Sequence, residues 1–135
     1  MKVITILIIY GLIGISLCVS GSEVIECAKK QLNKPYEWGA TGPYSFDCSG
    51  LTYYCHGSSI PRTAAAQFSG GRAASGAAGD LVFFDTSGDG GISHVGICVG
   101  GGQMIHSGSK GVGYATYSGH SYWVPKLKGY KRYAS

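Results

Sequence analysis

Behind Lys2 runs an uncharged stretch from Val3 to Ser22 in which polar positions are nearly absent as far as Leu17. A positive start, an apolar run and then small residues (Cys18, Val19, Ser20, Gly21) form the pattern of an export signal, with cleavage expected near Ser20. The run is almost long enough to span a bilayer, so a retained anchor is the competing reading; Leu17 is too bulky before Cys18 to suit a lipid-attachment signal. Past this point the pattern turns amphipathic. Val24, Ile25, Ala28 and Leu32 recur at helical spacing behind Ser22, a capping residue, and Pro35 forbids continuation, which predicts a helix over residues 23–33. Asp47 is a good N-cap for a second helix from Cys48 to Tyr54 that Gly57 would close. A short third helix covers Thr63 to Phe68.

From Asp80 the period changes. Residues 80–84, 94–99, 103–106 and the Tyr/Lys alternation over 128–133 read as strands. The short connection Gly100-Gly101-Gly102 favours an antiparallel hairpin. Helices first and strands second predict an α+β domain with N-terminal helices packed on an antiparallel sheet. No internal repeat or linker divides residues 21–135, so one domain follows the leader.

Composition narrows the class. Only 13% of residues are charged, about half the usual share, which excludes a disordered polyelectrolyte. The 23 glycines and 4 prolines among 135 residues indicate many turns and close backbone approaches, without the period of collagen. The formal charge of +4 is mild, and the only basic run is Lys126, Lys128, Lys131 and Arg132. Nucleic-acid binding is not expected from so small an excess. Beyond the leader lie Cys27, Cys48, Cys55 and Cys98. Export permits disulfides, but four cysteines are sparse, and a hydrophobic core is expected to hold the fold. Residues seven apart in one helix lie about 10 Å apart, beyond the reach of about 7 Å for a disulfide, so Cys48 and Cys55 should not pair. Pairing of Cys27 with Cys98, or of either with Cys48, stays open.

Cys48 carries the most chemistry. In the first turn of a helix capped by Asp47, its sulfur meets free N–H groups and the positive end of the helix dipole, which favour the thiolate. A thiol nucleophile needs a base and a group that orients the base. His56 and His120 sit beside turn residues and are expected at the surface, whereas His94 and His106 each enter a strand. With a hairpin loop of Val99 to Gly101, His94 lies directly opposite His106 on one face of the sheet; a loop of even length would send the rings to opposite faces. Metal ligation is disfavoured, because there is no C-x-x-C or H-E-x-x-H pair. The loop Asp85-Thr-Ser-Gly-Asp-Gly90 has Gly96 where a calcium loop needs its bidentate glutamate. A phosphate-binding signature is also lacking, and no cofactor is expected.

The strings Phe46-Asp-Cys-Ser-Gly-Leu51, Pro61-Arg-Thr-Ala-Ala-Ala-Gln67, Gly79-Asp-Leu-Val-Phe-Phe84, Ser93-His-Val-Gly-Ile97 and Met104-Ile-His106 occur in order. Together with Pro35-Tyr-Glu-Trp-Gly39 they make the chain similar to the NlpC family of papain-like cysteine peptidases that cut cell-wall peptides. The resemblance covers residues 25–133. It implies Cys48 as nucleophile, His94 as general base and acid, and His106 as the residue that orients His94. It also implies that Tyr36 lies beside the sulfur, that Asp47 and Ser49 help receive the amine end of a stem peptide, and that Cys48 N–H and the Tyr36 hydroxyl serve the oxyanion. The expected partner is peptidoglycan stem peptide, cut between γ-D-glutamate and the following diamino acid. The expected protein is a secreted monomer with no membrane anchor once the leader is removed. Ala40 and Ser45 stand where the family often has glycine, a departure that bears on the loop around Tyr36.

Overall fold

The computed structural model describes residues 19–135; the leader's charged start and apolar run, residues 1–18, lie outside the described residues. Helix α1 spans Gly21–Lys30, α2 Cys48–Cys55 and α3 Ala64–Ser69. The strands are β1 Arg72–Ala73, β2 Leu81–Phe84, β3 His94–Gly100, β4 Gln103–Gly108, β5 Gly111–Thr116 and β6 Leu127–Arg132. All six join one sheet in the order β1-β6-β2-β3-β4-β5, every neighbouring pair antiparallel. This is the α+β architecture expected from the sequence. None of the described helices is long and apolar enough to cross a membrane.

The caps explain where the helices begin. Asp47 caps α2 as expected, and Thr63, expected inside the third helix, instead caps α3; each accepts an N–H three residues on. For α1 the cap is Ser20, not Ser22. Ser20 Oγ accepts from Glu23 N while Glu23 reaches back to Ser20 N, a reciprocal capping box that starts the helix two residues early. Strands β1 and β5 were not foreseen. β1 is two exposed residues, and Gly111-Val-Gly-Tyr-Ala-Thr116 alternates too weakly to announce itself, yet it pairs with β4 along its whole length.

The helices bury Val24, Ala28 and Leu51 against Leu81, Phe83, Val95, Ile97 and Ile105 on one face of the sheet. The opposite face carries Val82, Phe84, Cys98 and Met104. Strand β5 ends at one edge, whereas β6 lies beyond β2, so residues 117–126 must cross β4, β3 and β2. This strap brings Tyr117 and Trp123 down onto the second face. It is fastened by Tyr117 N and Ser118 N to Gly102 O and by Asp85 N to Lys126 O.

Two expectations about cysteine and histidine are corrected. Cys27 pairs with Cys55, Cα to Cα 5.5 Å, joining α1 to the end of α2; Cys48 and Cys98 are free thiols. A covalent staple therefore supplements the core. His56 is buried, 2% exposed, because it ends α2 and turns inward: its Nδ1 lies 2.7 Å from Thr52 O, and its ring packs edge-on to Tyr133. His120 is exposed as expected.

Candidate active site

The loop between α1 and α2 is built from its own backbone. Phe46 N bonds to Pro35 O, Glu37 N to Phe46 O, Ala40 N to Glu37 O and Asp47 N to Ala40 O. Phe46 is fully buried at its base, and Ser107 Oγ on β4 donates to Phe46 O at 2.7 Å. Alanine at 40 and serine at 45 are accommodated without positive φ, and Ser45 Oγ donates to Glu37. The loop thereby sets Tyr36 and Trp38 at the rim of a cleft and Asp47 at the mouth of α2.

Asp47 is 5% exposed and fully engaged. Its Oδ1 accepts from Gly50 N at 2.6 Å and from Ser49 Oγ. Its Oδ2 accepts from Gly39 N at 2.9 Å and Arg62 Nη2 at 2.7 Å. Arg62 also donates from Nη1 to Ser49 Oγ at 2.8 Å. The guanidinium thus ties the loop before α3 to the N-terminus of α2. Sequence reading gave Arg62 no role, although it is the one basic residue in the Pro61–Gln67 motif. Gly50 is required by close approach: a Cβ there would run into Ala40 O and meet Asp47 Oδ1 at 2.8 Å. We expect Gly50→Ala to cost about 3 kcal/mol, the upper range for overpacking, and to lower the melting temperature accordingly.

Cys48 follows Asp47 at the first position of α2 and is half-buried. Burial raises its thiol pKa above the ordinary value, the backbone amide of Val95 at the start of β3 opposes this, the Asp47 charge adds to the rise, and the amides of Ser49 and Cys48 itself oppose it. Burial outweighs the helix N-terminus here, so the resting sulfur is a thiol and not the thiolate that its position alone suggests. To act as a nucleophile, such a thiol needs a proton acceptor beside it.

His94 opens β3, and its Nε2 lies 2.9 Å from His106 Nδ1 on β4. The two rings share a face, but they are diagonal, not directly opposite. Gly100 pairs with Gln103 around a two-residue turn, while Cys98 pairs with Met104 and Ile97 with Ile105. The even turn alone would separate the rings; the extra residue bulged at Val99 restores the parity. His106 then falls opposite Gly96, where a Cβ would press on Met104 Sδ at 2.5 Å and His106 Cβ at 3.3 Å. Burial pushes the pKa of both imidazoles down, with His106 adding to the effect on His94 and burial alone taking His106 to about 4. Both are neutral near pH 7, the form in which an imidazole nitrogen can accept a proton.

Cys48, His94, His106, Tyr36, Asp47 and Ser49, all singled out from the sequence, line one cleft of about 1200 Å³. Trp38, 87% exposed, Tyr122 and Trp123 also line it. Among the described residues no three His, Cys, Asp or Glu side chains cluster as metal ligands.

Residues 33–132 match the profile of the NlpC/P60 family. The chain belongs to the NlpC/P60 family. It is 47% identical over 115 residues to a Listeria monocytogenes protein named "Probable endopeptidase p60", covering 81% of this chain and 23% of that one. It is 40% identical over 116 residues to the "Probable peptidoglycan endopeptidase LytE" of Bacillus subtilis, covering 83% and 34%. An NlpC/P60 family protein from Bacillus cereus superposes with a TM-score of 0.77 at 32% identity, covering 87% of this chain and 41% of that one. The chain therefore spans about a quarter of the Listeria relative and carries an NlpC/P60 domain fold. Both curated relatives are named as endopeptidases, and the name of the Bacillus subtilis relative adds peptidoglycan.

The low pKa values of the NlpC/P60 domain's buried histidines have a consequence for stability. Burial also lowers the pKa of His56. Below the ordinary imidazole value of 6.5 the unfolded chain takes up protons at His56, His94 and His106 that the folded chain refuses. Stability then falls as pH falls, by up to about 1.4 kcal/mol per pH unit for each histidine. Thermal melts should show the midpoint level at and above neutral pH and dropping from pH 6.5 to pH 5; a flat profile would contradict this.

Proposed function

We propose that the chain is a secreted cysteine endopeptidase that hydrolyses peptidoglycan stem peptides between γ-D-glutamate and the following diamino acid. The observation that carries this reading is the thiol at the N-terminus of α2 sharing a cleft with a hydrogen-bonded histidine pair. Cys48 is the nucleophile, His94 the base and His106 its orienter. With His94 donating from Nε2 to His106 Nδ1, His94 Nδ1 is left free to take the Cys48 proton.

As sulfur bonds to the scissile carbonyl carbon, that proton passes to His94 and the oxyanion is received by the Cys48 N–H, with the Tyr36 hydroxyl as second donor. The imidazolium then protonates the leaving amine as the C–N bond breaks. Water attacks the thioester, giving one proton to His94, which returns it to sulfur. No metal or cofactor takes part. Tyr36, Asp47 and Ser49 bind the stem on the unprimed side. The Asp47 oxygens are already held by Arg62 and two amides, so Asp47 acts by shaping that wall and setting its charge. The leader directs export and is removed near Ser20, and the domain then acts as a monomer. The Cys27–Cys55 bridge suits an oxidising compartment.

The test is incubation of the purified protein and its Cys48→Ala variant with muramidase-digested peptidoglycan, followed by mass spectrometry. Stems truncated after γ-D-glutamate with the parent protein only are the expected result. Fragments cut at the muramoyl–alanine amide would make the enzyme an amidase, and no cleavage by folded protein would make it a wall-binding module.

A further inference from the structure

Trp123 lies against both histidines at once. Its ring is stacked on His94 at 5.6 Å between centroids and 28° between planes, and it stands edge-on to His106 at 5.5 Å and 89°. Behind it is Phe84 at 4.7 Å, and in front Tyr122 meets it at right angles at 4.9 Å. The strap holds it there: Trp123 O accepts from Lys126 N, and Val124 N bonds to His120 O. Tyr122 N donates to His120 Nδ1, and Lys126 Nζ lies 4.1 Å from the Tyr122 ring centre. Trp123 is half-buried, with the rest of its surface lining the cleft.

We propose that Trp123 is a positioning residue for the His94–His106 pair, its indole fixing the plane of both imidazoles and keeping water from them. The proposal rests on the peptidase reading above. Two consequences follow from the geometry. First, the ring that must turn its Nδ1 toward the sulfur is clamped between a hydrogen bond and an aromatic face, so less motion separates it from the reactive arrangement. Second, the indole covers one face of the His94 ring and shields it from water, which disfavours the charged form and keeps the resting imidazole neutral.

The other groups near His94 leave this assignment to Trp123. Cys48 faces it from α2, lining the same cleft, and His106 from β4. Phe84 on β2 is not titratable. Asp47 is turned onto Arg62, and Asp85 is occupied by the amides of Gly88 and Gly90. No carboxylate among the described residues is hydrogen-bonded to either imidazole, so the groups left to hold the plane of His94 are the His106 hydrogen bond and the Trp123 face.

The test measures kcat, KM and the pH profile of kcat/KM for Trp123→Leu and Trp123→Phe on a stem peptide. Trp123→Leu should lower kcat about tenfold to a hundredfold, the scale for a misplaced catalytic group, with KM nearly unchanged. Its acidic limb should move up toward the ordinary imidazole pKa. Trp123→Phe, which keeps an aromatic face, should recover most of kcat and keep the limb near the parent position. A rise in KM alone would overturn the proposal by making Trp123 a substrate contact, and so would an unmoved limb in a folded Leu variant.

Should the Leu variant fail to fold, fluorescence of Trp123 in a Trp38→Phe background gives an independent reading. Its emission should be quenched as His94 protonates, with a midpoint matching the acidic limb, and the step should vanish with His94→Ala. Emission insensitive to pH across that limb would overturn the stacking role. The Cys48→Ala comparison separates this failure from failure of the peptidase reading, since it does not involve Trp123.

Discussion

Cys48→Ala is expected to reduce stem-peptide hydrolysis by at least about a thousandfold, because a covalent mechanism has no second route once the nucleophile is gone. The fold should hardly notice. Cys48 is a free thiol at the first position of α2, and the helix is capped by Asp47 whatever follows it. Losing one half-buried sulfur should change stability by about 1 kcal/mol or less, so the melting curve separates lost chemistry from lost structure. His94→Ala should approach the same loss of activity. Cys98 supplies the internal control: it is fully buried, its pKa is pushed up to about 11 by burial, and its sulfur sits 3.7 Å from the Tyr117 hydroxyl. Iodoacetamide should therefore label Cys48, abolish activity in step with labelling, and leave Cys98 untouched. Full activity after complete labelling of Cys48 would refute the assignment.

The placement of Cys48 was legible because helix capping is local: Asp47 before an apolar turn announces an N-terminus, and the thiol falls in its first turn. The three helices and four of the strands were legible for the same reason. The histidine pair was half legible. That His94 and His106 share a face depends on parity, but parity depends on a bulge at Val99, and nothing in Cys-Val-Gly-Gly-Gly marks where an extra residue will lodge. His56 was misread because its surroundings in sequence are turn-like, whereas its burial comes from Tyr133, distant in the chain. Arg62 and Trp123 were missed on similar grounds. Each meets the site through a chain crossing, the loop before α3 and the strap over the sheet, and such crossings are decided by topology. The thiol's raised pKa has the same origin, since its burial comes from elements that the helix sequence does not contain.

The Cys27–Cys55 bridge predicts the largest change in stability. It closes a loop of 28 residues, and loop-closure entropy of that size stabilises the folded state by about 3–4 kcal/mol. The loop contains the whole segment from Pro35 to Asp47 that shapes one wall of the cleft, so the bridge limits the freedom of that segment in the unfolded chain. Replacing both cysteines by alanine should lower the melting temperature by about 10–15 °C, as should reduction confirmed by the mass increase of two hydrogen atoms. Chemistry should survive the change at 25 °C. The N-terminus of α2 is held at its own end by Arg62 on Asp47, by Gln67 Nε2 on Ser49 O and by Thr52 on Gln67, none of which passes through the disulfide. Calorimetry and peptide hydrolysis on the same samples check both halves. A melting temperature unmoved by reduction would mean that α1 docks on α2 through Val24 and Ala28 strongly enough to make the bridge redundant. A loss of activity in a folded, reduced protein would instead mean that tension at Cys55 reaches Cys48 along the two turns of helix between them.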